Sequence, residues 1–129
     1  GRNLDAWLYE SEDMIENNIS MQMEIRGKKS EYMLISAGIS WYEAQCRCEI
    51  LMDEGDELVL YARSMRNAET NSFTIVLNGL PQRPPKTTRL QINLEYLSAV
   101  TCKVIVKDMG FGEFFPSSGL VWESVLNLE

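Results

Sequence analysis

Between Arg89 and Lys107 the chain alternates apolar and polar residues with a period of two. Leu90, Ile92, Leu94 and Tyr96 are interleaved with Arg89, Gln91, Asn93 and Glu95, and Val100, Cys102, Val104 and Val106 with Thr101, Lys103, Ile105 and Lys107. Successive side chains of a strand point to opposite faces, whereas the apolar residues of an amphipathic helix recur every three to four positions. The pattern therefore predicts an antiparallel hairpin with one face in a core and one in water, turning at Leu97–Ser98.

The same period recurs upstream. Ile19, Met21, Met23 and Ile25 alternate with Ser20, Gln22 and Glu24, and Tyr32–Ser36 follows across a turn at Arg26–Lys29. Trp41–Met52 and Glu57–Ser64 flank the acidic run Asp53-Glu54-Gly55-Asp56, which reads as a hairpin tip whose carboxylates stay hydrated and whose glycine supplies positive φ. Ser72–Leu77 and Leu120–Leu128 read as further strands, the latter after a loop at Phe111–Gly119. Seven or so strands with turn signals between them predict an all-β fold, an antiparallel two-layer β-sandwich. The first segment is open. Leu4, Trp7, Leu8, Ser11 and Met14/Ile15 fit a helical stripe with Asn3 as N-cap, while Asp5–Tyr9 fits a short strand, which the β character of everything after it favours. The 129 residues make one domain, 1–129, and the opening Gly1 reads as the start of a C-terminal fragment of a longer protein.

Charge and composition narrow the function. Acidic residues outnumber basic ones 19 to 12, for a net charge of −7. Phosphate backbones and anionic membranes attract clustered Lys and Arg, so no nucleic acid and no membrane is expected as a partner. Histidine is absent, which removes imidazole as base, proton shuttle or metal ligand. Cys46, Cys48 and Cys102 read as small buried hydrophobes in a reducing, cytoplasmic compartment, and a Cys-x-Cys pair without histidine does not complete a zinc site. The run at residues 53–57 lacks the ligand spacing of a calcium loop. Gly38-Ile39-Ser40 opens a nucleophile elbow that Trp41-Tyr42 ends, and Gly110-Phe111-Gly112 lacks the rest of a nucleotide fingerprint. The expectation is a non-enzymatic domain with no cofactor and no metal.

A longer stretch carries a resemblance. Phe73-Thr74-Ile75-Val76-Leu77-Asn78-Gly79-Leu80-Pro81-Gln82-Arg83-Pro84-Pro85-Lys86 leads directly into the Leu90–Val106 hairpin. This resembles the β-sandwich substrate-binding domain of DnaK-type heat-shock chaperones, in which a strand enters a Gly-[Ile/Leu]-Pro-x-x-Pro turn and then two alternating strands. Leu77, Gly79, Leu80, Pro81 and Pro84 match the turn, and Ile92, Leu94, Val104, Val106, Asp108 and Gly110 match the paired strands in order. The departures are Leu97-Ser98 in place of a D-x-N-G type turn, an extra hairpin around Asp53–Glu57, and no helical lid. The chain also looks like a domain at the C-terminal end of poorly characterised bacterial proteins, in which Gly110-Phe111-Gly112-Glu113-Phe114-Phe115-Pro116-Ser117-Ser118-Gly119 and Val121-Trp122-Glu123 follow such a hairpin.

The chaperone resemblance implies a module that grips an extended polypeptide with loops near the start of the sandwich. Their nearest equivalents here are Met33–Ile39 and Met21–Met23, which makes Met21, Met23, Met33, Ile35 and Ile39 the expected peptide site. Seven methionines suit an adaptable apolar surface as well as an ordinary core. Phe111, Phe114 and Phe115, in a loop punctuated by Gly and Pro, either bury their rings against the sandwich or present them to a docking partner; burial is favoured. Three functions are therefore carried forward. The first is binding of an extended polypeptide or a neighbouring domain. The second is a structural or assembly role, by docking or self-association. The third is a carbohydrate-binding sandwich, which would bring Trp7, Trp41 and Trp122 together beside a groove.

Overall fold

The structure, a computed structural model, describes residues 13–25, 27–52 and 55–129. Most of the ambiguous segment 4–15, and Asp53 and Glu54 of the acidic run, lie outside the described residues. Among those described, eight strands follow in order: β1 Asn17–Ile25, β2 Lys28–Ile35, β3 Gln45–Met52, β4 Glu57–Ser64, β5 Thr70–Val76, β6 Thr88–Ser98, β7 Thr101–Gly110 and β8 Val121–Asn127. A 3-10 turn, Trp41–Glu43, precedes β3, so the expected strand starts four residues later than its apolar onset. The strands form two antiparallel four-stranded sheets, ordered β2-β1-β4-β5 and β3-β6-β7-β8. The fold is an all-β, two-layer antiparallel sandwich.

The period-two pattern places the core. Leu90, Ile92, Leu94 and Tyr96 of β6 and Cys102, Val104 and Val106 of β7 are all buried, while their polar neighbours face outward. Burying one such Leu or Ile side chain contributes about 1.5–3 kcal/mol. From the other sheet, Ile19, Met21, Leu58, Leu60 and Ile75 join the same buried cluster. The β6–β7 turn falls two residues later than expected, between Ser98 and Thr101, because Tyr96 pairs with Cys102 and Ser98 with Thr101, leaving Leu97 as an extra bulged residue. A second bulge sits in the β1–β2 pair. Ile19 pairs with Ile35 and Ser20 with Met33, so Leu34 has no opposite number. The extra residue turns Leu34 and Ile35 to the same side, and both are buried.

One expectation is corrected outright. Residues 45–52 and 57–64 are strands, but they do not form a hairpin. β3 pairs with β6 through eight consecutive positions, from Gln45↔Glu95 to Met52↔Thr88, and β4 pairs with β1 and β5. The chain therefore passes from one sheet to the other between β3 and β4.

Candidate functional site

The register gathers four connections at one end of the sandwich: β1–β2, β3–β4, β5–β6 and β7–β8. The sheet beneath them is split. β1 and β4 are paired from Asn17↔Ser64 to Met21↔Leu60, and there the ladder stops. Beyond that point Gln22 and Met23 pair only with Glu31 and Ser30 of β2, and Leu58 and Val59 only with Ile75 and Thr74 of β5. Two backbone edges thus diverge inside a sheet. Unpaired strand edges are templates for adding another extended chain.

A cavity of about 390 Å³ opens at this split. Met21, Ile50 and Leu58 are buried in it, Met23 and Met52 are half-buried against the core, and Gln22, Lys29, Leu51, Glu57, Val59 and Tyr61 complete its lining. Its floor is apolar and its rim carries both charges. A second cavity, of about 530 Å³, lies on the other side of Met52 and is lined by Gly55, Asp56, Leu80, Pro81, Arg83 and Pro85 among others.

The loop wall beside that second cavity is braced by an ion pair. Arg83 donates from both terminal nitrogens to Asp108, at 2.9 and 2.8 Å, and also to the Pro116 carbonyl at 3.0 Å. Asp108 further accepts from the backbone N–H groups of Gly110 and Ser118, each at 3.0 Å. Both side chains are almost wholly buried. Burial alone would raise the Asp108 pKa; the hydrogen bonds from Arg83, Ser118 and Gly110 outweigh it and hold the carboxyl well below the usual carboxylate range. Asp108 ties the β5–β6 connection to the β7–β8 loop. Two residues on, Gly110 has φ 68, and a Cβ there would lie 2.4 Å from the Phe115 carbonyl oxygen.

The expected peptide residues divide. Met21 and Met23 line the split. Met33, Ile35 and Ile39 do not line it: Met33 is exposed on the edge strand β2, Ile35 is core, and Ile39 lies in the β2–β3 connection at the opposite end, where its carbonyl accepts from Ile15. The Leu34 bulge sends Ile35 inward and Met33 outward. The residues that sequence reasoning missed are Ile50, Leu51, Met52, Leu58 and Val59. They flank the acidic run, and reading that run as a water-facing hairpin tip hid their convergence.

The Phe loop departs from expectation too. A hydrogen bond of 2.6 Å from the Phe111 N–H to the Phe115 carbonyl closes it, yet Phe114 is 90% exposed and Phe111 43%. The rings of Phe111 and Phe114 are presented, while that of Phe115 is half-buried. Trp7 lies outside the described residues, and Trp41 and Trp122 sit at opposite ends of the sandwich, in the turn before β3 and at the start of β8. The thiols are damped by burial: Cys48 is pushed up to about 11 and Cys102 to about 12. Among the described residues, no three His, Cys, Asp or Glu side chains converge to hold a metal ion, and no helix is long and apolar enough to cross a membrane.

No curated protein matches this sequence. Residues 14–128, which take in all eight strands, match the family described as a domain of unknown function, DUF8552. The chain belongs to the DUF8552 family.

Proposed function

We propose that this domain is a non-enzymatic binding module that receives an extended polypeptide at the split between β1 and β4. The observation that carries the reading is the end of the β1–β4 ladder at Met21↔Leu60 above an apolar cavity of about 390 Å³. The strand–turn–hairpin of residues 73–106, which resembles the chaperone substrate-binding sandwich, supports it. An aliphatic side chain entering the cavity would contribute about 1.5–3 kcal/mol. Backbone hydrogen bonds to the free edges add about 0.5–1.5 kcal/mol each. Fluorescence polarisation with a labelled, uncharged peptide of alternating Val and Leu tests the reading. Saturable binding is expected, weakened at least tenfold by Val59→Arg, which places a guanidinium in the cavity wall. A flat titration up to about 1 mM, a Kd weaker than ~4 kcal/mol, would remove it.

A second reading rests on Phe114. An aromatic side chain held almost fully in water on a braced loop is a preorganised anchor for a neighbouring domain or a second copy. Light scattering would then show association that Phe114→Ser abolishes.

A further inference from the structure

Three of the chain's seven methionines, Met21, Met23 and Met52, meet in the cavity at the β1–β4 split. Leucine would serve a sandwich core equally well. Besides its flexibility, a thioether differs from leucine in its reactivity: its sulfur can take an oxygen atom from a peroxide. We infer that Met23 and Met52 form a reversible oxidation site that closes the groove to apolar ligands.

This inference rests on the peptide-binding reading above. In the forward step the sulfur attacks one oxygen of hydrogen peroxide, the O–O bond breaks, an S–O bond forms and water leaves. The sulfur gives up two electrons and the peroxide takes them. In the return step a methionine sulfoxide reductase removes that oxygen as water while two thiols become a disulfide. The sulfoxide brings a strong hydrogen-bond acceptor to a wall that an incoming aliphatic side chain would cover. Desolvating that acceptor without a partner opposes binding.

Exposure sets the order of reaction. Met65, at 61%, and Met33, at 44%, react before the groove does, but neither lines it. Met23 and Met52 follow, being half-buried, together with Met14 and Met109, which are half-buried too but do not line the groove. Met21, at 2%, is protected. Burial raises the pKa of Cys46 and Cys48, on the same strand as Met52, which lowers their reactive thiolate share.

The experiment uses the chain carrying Met14→Leu, Met33→Leu, Met65→Leu and Met109→Leu, which leaves Met23 and Met52 as the accessible sulfurs. It is titrated with hydrogen peroxide, sulfoxides are located by peptide mass mapping, and binding of the labelled Val/Leu peptide is followed by polarisation. Affinity is expected to fall at least tenfold as Met23 and Met52 gain oxygen, and to recover with reductase and dithiothreitol. Adding Met23→Leu and Met52→Leu is expected to keep affinity within about threefold and to make it indifferent to peroxide. Full oxidation of both residues with unchanged affinity would overturn the inference, as would equal loss in the leucine variant. Loss of the cooperative thermal melt on oxidation would also overturn it, because the groove would then vanish with the fold. A chain that binds no peptide before peroxide is added would instead remove the peptide-binding reading itself, and this inference with it.

Discussion

Arg83 and Asp108, one in the β5–β6 connection and the other near the end of β7, face each other as a two-pronged ion pair at 2.9 and 2.8 Å, with side chains 5% and 0% exposed. A buried pair of this kind is a weak source of net stability, because removing both charges from water opposes their attraction. Breaking it is another matter. Arg83→Leu leaves the buried Asp108 carboxylate with only the Ser118 and Gly110 donors and no counter-charge, and urea unfolding is expected to show a loss of about 3–5 kcal/mol. Asp108→Asn keeps the side-chain shape but turns an amide N–H2 donor towards an Arg83 nitrogen and a backbone N–H, so it should also be clearly destabilising. The double variant Arg83→Leu/Asp108→Leu should lose less than the two single leucine changes added together.

The same pair sets the acid limb. The folded Asp108 pKa is depressed below its ordinary value of 3.8. Its contribution is therefore fully present above that value and is lost as pH falls through the lower, folded pKa. Urea midpoints measured from pH 5 down to about pH 2 should fall steeply in the wild type and less steeply in Asp108→Asn. Equal slopes would mean that other carboxylates dominate.

The alkaline limb belongs to the buried thiols together with the Tyr96 phenol, whose pKa burial also raises. Burial raises Cys48 to about 11 and Cys102 to about 12 from an ordinary 9.0. A group whose folded pKa is raised contributes stability below its unfolded pKa and loses it as pH climbs towards the folded one. Stability should begin to fall above about pH 9, and Cys102→Ala should flatten that fall while lowering stability at neutral pH by creating a small cavity. An unchanged alkaline slope in this variant would assign the loss elsewhere.

Two glycines of the Phe loop separate conformation from space. Gly110 and Gly112 have similar φ, 68 and 67, but a Cβ on Gly110 meets backbone at 2.4 Å while one on Gly112 meets nothing within 4 Å. Gly112→Ala is expected to cost about 1–2 kcal/mol, the left-handed penalty alone. Gly110→Ala should cost clearly more and should disorder the loop, visible as faster amide exchange at Phe111 and Ser118. Equal costs would show that the close approach is relieved by a small shift.

The strand pair β6–β7 was legible because its two faces live in different solvents, and each residue from Leu90 to Tyr96 carries the mark of its own side. Leu97 escaped because the strand alternates unbroken up to it, and the register shift shows only in the pairing of Ser98 with Thr101. The crossing between β3 and β4 escaped for a related reason. An acidic turn containing Gly55 looks the same whether it joins neighbours in one sheet or passes between two sheets. Met21 and Met23 were legible as candidates for an apolar site, whereas Ile35 and Ile39 were not separable from them by type.

The amino-acid order alone determined that this chain makes strands, which residues of β6 and β7 face inward, and that imidazole chemistry is closed to it. These follow from side-chain identity and a two-residue repeat, and both are local quantities. The partnering of β3 with β6, the parting of β1 from β4 after Met21, and the meeting of Met23 with Met52 were decided by the tertiary structure. Several pairings would each bury one apolar face, and only the simultaneous packing of both sheets into one core selects among them.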